Sequence, residues 1–195
     1  MVDLNKLAAE IHEAAVKKGF WSVEDAEEKH LAKMISELGE VVQADRAGIM
    51  YEVEHEGAKP EGVVAELADF VMMVIDFAMQ RDAMHSIEYG IESSEEDIKY
   101  AVKERKDVKN IADLKKIYAS VPVTRLIISS SGCVFKASGY DDPLGVEEVY
   151  FADLGRMVNM IYIWCTERGY DLWKCIREKM EYNERDRAYL HGRLY

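Results

Sequence analysis

The chain has 195 residues and a formal net charge of −12, with 49% hydrophobic and 32% charged residues, a balance that describes a soluble, core-forming chain and disfavours nonspecific contact with nucleic acid. Three separated cysteines, Cys133, Cys165 and Cys175, without a C-x-x-C spacing, exclude a zinc knuckle and a disulfide framework. No signal peptide opens the sequence and no run of about 18 apolar residues could span a bilayer, so a cytoplasmic setting with no membrane partner is expected.

Residues 3–18 carry Leu4, Leu7, Ala8, Ile11, Ala14 and Ala15 at helical spacing, and Gly19 ends that helix. Phe20 and Trp21 lie on the turn. Ser22 and Asp25 open a second helix in near capping-box spacing. This helix is expected to run to Ala47, with Leu31, Met34, Ile35, Leu38, Val41 and Val42 as its apolar stripe. Residues 48–60 read as a loop, punctuated by Gly48, Gly57 and Pro60, and Pro60 suits the first turn of a following helix. That helix, 61–81, is apolar almost all round, which places it in the core. Its polar line is Glu66, Asp69, Asp76 and Gln80.

Residues 82–112 are polar, with a helix expected over 95–107 and a linker over 108–112. The segment 113–137 is strand-like by propensity, rich in Val, Ile, Ser and Thr. Residues 138–146 read as a loop, 148–168 as an apolar helix ended by Gly169, and 171–187 as a last helix.

A weak internal repeat changes the reading of 113–137. Residues 66–81 align without gaps on 153–168, and 33–44 on 125–136, with apolar positions largely matching. Segment 113–137 is then expected to be helical, because tertiary packing overrides propensity. Ser129 and Gly132 stand where Glu37 and Glu40 stand, and Asp153 and Arg156 where Glu66 and Asp69 stand. The second copy keeps the packing positions and loses the acids.

Glu37 and Glu40 share one helix at i, i+3 spacing, and Glu66 and Asp69 share the next. Two such helices packed antiparallel aim four carboxylates at one point. A hard divalent cation such as Mg²⁺ suits that arrangement. A di-iron reading from Glu27-x-x-His30 and Glu52-x-x-His55 is disfavoured, since the second pair falls in the Gly-bounded loop.

The E-x-x-E and E-x-x-D pairs resemble the signature of the all-α nucleoside triphosphate pyrophosphohydrolases, the superfamily of MazG-like proteins, dimeric dUTPases and dCTP pyrophosphatases. The end of the chain adds Lys179, Met180, Asn183, Arg185 and Tyr189, which resemble the K-M-x-x-N and following Arg and Tyr of the family's closing helix. The likeness covers roughly residues 1–81 and 150–192. It implies an all-α helical bundle of two related halves, a fused pseudo-dimer. Residues 1–90 would be the half with the acidic site, 91–112 a linker with an extra helix, and 113–195 a degenerate half with the K-M-x-x-N tail.

The resemblance further implies Glu37, Glu40, Glu66 and Asp69 as ligands of Mg²⁺, with Mn²⁺ as a substitute, and Glu37 and Glu40 as catalytic acids. Lys179 and Asn183, with Arg185, would hold the phosphates, Tyr189 would be a further substrate-binding residue, and Trp21 would lie near the base. The implied reaction is hydrolysis of a nucleoside triphosphate, NTP or dNTP, to the monophosphate and pyrophosphate. One departure stands out: many members carry an acid directly before the first matched Glu, where this chain has Ser36. The alternative is a catalytically degenerate nucleotide-binding or regulatory protein of the same fold. Family members work as dimers or larger assemblies, so a homodimer is consistent with the likeness.

Overall fold

The computed structural model describes residues 3–22, 26–104, 108–137 and 147–186. Among them the chain is all-α, as expected, with eight helices and no strand. These are α1 (Leu4–Lys17), α2 (Ala26–Ala47), α3 (Val63–Gln80), α4 (Met84–Glu104), α5 (Ile111–Ala119), α6 (Val123–Ala137), α7 (Glu147–Thr166) and α8 (Leu172–Asp186). Among the described residues no single helix is long and apolar enough to cross a membrane. By contacts the chain divides into two units, Met1–Met84 with Leu172–Tyr195, and His85–Asp171.

In the first unit α3 is the axis on which α1, α2 and α8 each pack. Its all-round apolarity makes this possible: Val63, Leu67, Phe70, Val71, Val74 and Ile75 are fully buried. The other helices turn one stripe inward: Leu7, Ala8 and Ile11 from α1, Met34, Leu38 and Val41 from α2, Leu172, Cys175 and Ile176 from α8. The side chain of Asp3 caps α1 through the Lys6 N–H at 3.0 Å. The start of α3 is capped by the loop before it. Val63 and Val64 donate their N–H groups to the carbonyls of Ile49 and Met50, both at 3.0 Å. Gly62 makes that turn at φ 104°, and a Cβ there would lie 2.9 Å from the Ile49 carbonyl oxygen. Pro60 therefore sits ahead of the helix, beside the isolated bridge between Glu52 and Glu61, and not in its first turn. Ser22 donates its hydroxyl to the Gly19 carbonyl, while Asp25 of the expected capping box lies outside the described residues.

In the second unit α7 packs against α5 and α6. Two glycines allow α4 and α7 to cross closely. A Cβ on Gly90 would fall 2.0 Å from the Ala152 carbonyl oxygen, and one on Gly155 2.2 Å from that of Ile87. Beside this crossing, buried Asn159 donates to Ser94 at 2.6 Å. Ile98, Val108, Leu114 and Ile163 form the core at the other end. The Trp164 indole donates to the Val121 carbonyl, and Arg168 stacks on its ring at 3.8 Å.

Several sequence expectations require correction. Helix α4 starts at Met84, not at 95, because Met84, Ile87 and Ile98 make an inward stripe that the surrounding charges obscure. Segment 113–137 is helical, as the repeat implies, but in two pieces. Helices α5 and α6 meet at 89° around Ser120–Pro122, where proline cannot continue the first helix. The contact partition also differs from the expected division at 90 and 113, since α8 packs on α3 in the first unit. The loop expected at 138–146 lies outside the described residues.

Candidate functional site

Helices α2 and α3 bring the expected acids together. One carboxylate oxygen from each of Glu37, Glu40 and Glu66 lies within 4.8 Å of the others. Glu37 and Glu66 are buried and Glu40 is half-buried. The reason is spacing: on α2 the i, i+3 pair stands beside the Met34–Leu38–Val41 stripe that packs on α3.

Two ammonium groups divide the acids between them. Lys33 Nζ lies 2.5 Å from Glu37 and 3.6 Å from Glu40. Lys179 Nζ lies 2.6 Å from Asp69 Oδ2 and 3.6 Å from Glu66 Oε2. Lys179 is only 1% exposed, on a helix that packs its apolar stripe against α3. The longer contact leaves Glu66 Oε2 buried with no hydrogen bond. Desolvation lifts the Glu66 carboxyl to about 7, against the pull of Lys179 and with a push from Asp69. Burial also raises Glu37, aided by Asp69 and opposed by Lys33. For Lys179 burial works against the charge, yet Asp69 and Glu66 outweigh it and hold the ammonium above its ordinary value.

A cleft of about 830 Å³ opens beside this cluster, lined by Glu37 and Asp69 on one wall and by residues of α1 and α8 on the other. Its cations are Lys17, Lys18, Lys33 and Arg177. Further along, His30 and Asp76 line the same cleft and belong to a buried polar group. Asp76 Oδ1 lies 2.6 Å from His12 Nδ1, and its carboxylate accepts from the Trp21 indole at 3.2 Å. Trp21 stacks on His30 with ring centroids 4.6 Å apart. Burial raises Asp76 to about 6, tempered by the bonds from His12 and Trp21, and lowers His30 to about 4.

The expected phosphate-binding residues fare differently. Lys179 faces the acids. Asn183 lines the cleft, and its carbonyl accepts from Lys18 at 2.8 Å. Arg185 donates to the Gly57 carbonyl at 3.2 Å and so ties α8 to the 48–62 loop, as does the Tyr51 hydroxyl on Glu178. Tyr189 lies outside the described residues. Trp21 is held by Asp76 and His30 rather than among the groups lining the cleft.

Sequence reading missed four contributors. Lys33 was legible, because it stands at i, i+4 from Glu37. The His12–Asp76 contact spans 64 residues and has no local signal. Lys17 and Arg177 reach the cleft only because α1 and α8 both pack on α3.

The donor set is all carboxylate oxygen, converging, and includes one buried oxygen without a hydrogen bond. Glu37, Glu40, Glu66 and Asp69 could hold a hard divalent cation, for which such ligands are suited. At the positions repeated in the second unit, Asp153 instead pairs with Arg156 at 2.9 Å and Lys136 at 3.1 Å. No protein-family model, curated protein or solved structure matches this chain.

Proposed function

We propose that this protein hydrolyses a nucleoside triphosphate, NTP or dNTP, to the monophosphate and pyrophosphate, with Mg²⁺ as cofactor and Mn²⁺ as a substitute. The observation that carries the reading is the convergence of Glu37, Glu40 and Glu66, with Asp69 beside them, at a cleft whose facing wall mixes Lys17, Lys18 and Arg177 with the acids Glu10, Glu13, Glu181 and Glu184. A cleft of about 830 Å³ is of the size that small-molecule ligands occupy. The fold type is that of a MazG-like bundle, its second unit a copy that has lost the acids.

In this reading the carboxylates of Glu37, Glu40, Glu66 and Asp69 hold the cation, whose bound charge polarises the phosphate and makes water a better nucleophile. Lys17, Lys18 and Arg177 bind the phosphate chain through charge-assisted hydrogen bonds and orient its α–β bond toward the acids. Glu37, the one of the two α2 acids that lines the cleft, takes the proton of the attacking water. The broken bond is the α–β phosphoanhydride, and pyrophosphate leaves.

A second reading is a nucleotide binder of the same fold without turnover. It is favoured by Ser36, an exposed hydroxyl where an acid stands in the family that the sequence resembles. A panel of NTPs and dNTPs with Mg²⁺, scored for monophosphate and pyrophosphate, separates the two. Hydrolysis is expected to fall by about 10²-fold or more in Glu40→Ala and Asp69→Ala, the range for loss of a charge-stabilising group. Equal activity in both variants removes the site assignment. Binding without turnover selects the second reading.

A further inference from the structure

We propose that Lys179 is the resident cation on the Glu66–Asp69 side of this carboxylate cluster, and that a divalent metal ion enters by exchange with it, releasing the ammonium into the cleft. The inference rests on the metal reading above and deepens it.

Four carboxylates meet two ammonium groups here, and the pairing is uneven. Lys33 serves Glu37 and Glu40 at 2.5 and 3.6 Å. Lys179 serves Asp69 at 2.6 Å but reaches Glu66 only at 3.6 Å, leaving the buried Glu66 Oε2 without a hydrogen bond. A lysine head thus offsets part of the site's charge without filling it. A divalent ion bound by oxygens at about 2.0–2.6 Å engages several carboxylates at once, which an ammonium on one oxygen does not do. The two compete for Asp69. The ammonium already lies on that Asp69 oxygen, and two like charges on one carboxylate in a desolvated site repel strongly.

The displaced head has a destination. Asp69, on which it now rests, lines the cleft, as do Met180 and Asn183 of Lys179's own helix. The lysine stem is long and flexible, so its ammonium can change partner while the helix stays in place. An anionic phosphate in the cleft would receive it. Metal and polyphosphate binding are then coupled: the ion frees the cation that the phosphates need, and phosphate holds that cation away from the acids. The same logic keeps the cluster partly charge-compensated when no metal is present.

The test follows Mn²⁺ binding to the full-length protein by electron paramagnetic resonance, without nucleotide, in wild type and Lys179→Met. Removing the competing ammonium is expected to tighten Mn²⁺ binding by about tenfold, within the usual range of coupling between ligands. In parallel, wild-type protein is treated with acetic anhydride and modification of Lys179 is read by mass spectrometry. The buried, ion-paired amine is expected to be protected in chelator and several-fold more reactive at saturating Mn²⁺. Equal or weaker Mn²⁺ binding in Lys179→Met overturns the exchange, as does unchanged labelling of Lys179 on saturation. The labelling arm decides even if the variant fails to fold. Failure of wild-type protein to bind Mn²⁺ at all overturns the metal reading, and this inference with it.

Discussion

Replacing Glu66 with Gln is expected to stabilise the metal-free protein at alkaline pH. Desolvation sets the folded Glu66 carboxyl at about 7 against an ordinary value of 4.5. The native state therefore binds this proton more tightly than the unfolded state does. The stability that the proton confers is fully present below 4.5 and is lost as pH rises through about 7. That gap corresponds to roughly 3–4 kcal/mol at most, since each pH unit is worth about 1.4 kcal/mol. Lys179 loses a partner in the variant, which reduces the expected gain to roughly 1–3 kcal/mol at about pH 8. Below about pH 4.5 both forms are neutral, and the difference should vanish. Titration of Asp76 and His30 is common to both proteins and cancels in the comparison. Urea unfolding in chelator at about pH 8 and about pH 4 measures the difference. A Gln variant less stable than wild type at pH 8, or a gain of equal size at pH 4, would refute the reasoning. Added Mg²⁺ should reverse the order, because binding to the folded state stabilises wild type more.

Asp76→Ala removes the acceptor shared by His12 and Trp21 from a nearly fully buried position, and should cost about 2–4 kcal/mol. Asp76→Asn keeps one acceptor oxygen and should cost less; equal losses in denaturant unfolding would count against the polar group as described. Gly155→Ala places a methyl 2.2 Å from the Ile87 carbonyl oxygen, so α4 and α7 must separate, at about 1–3 kcal/mol. Thermal unfolding of Gly132→Ala, where a Cβ meets nothing within 4 Å, is the control and should be near neutral. Arg185→Ala frees the Gly57 carbonyl and should raise protease sensitivity of the 48–62 loop while leaving cleft ligands unaffected. Loss of nucleotide binding with an unchanged cleavage pattern would return Arg185 to the phosphate-binding role that its position in sequence implied.

What was readable in advance was mostly periodic. The all-round apolarity of 63–80 announced a central helix, and i, i+3 spacing placed Glu37 with Glu40 and Glu66 with Asp69. Boundaries were read less well. The charges of 82–112 hid the stripe of Met84, Ile87 and Ile98, and β-branched residues in 123–134 pulled against a helix that packing against α7 enforces. The likeness of 33–44 to 125–136 was the better guide there, because it reports on packing positions rather than local preference. Contacts distant in sequence left no local trace. Lys179 meets Asp69 across 110 residues, so the tail that seemed to offer a cation to phosphate instead delivers it to the acids. Arg185, Asn183 and Trp21 likewise were assigned by position, while their partners were set by how α8 and the turn after α1 meet α3.

The most direct measurement is ³¹P NMR of purified protein mixed with a nucleoside triphosphate and Mg²⁺, repeated with Asp69→Ala. The account predicts growth of pyrophosphate and monophosphate signals in wild type, their loss in chelator, and their near absence in the variant. Orthophosphate as the product, or pyrophosphate released at the same rate without Asp69, would contradict it.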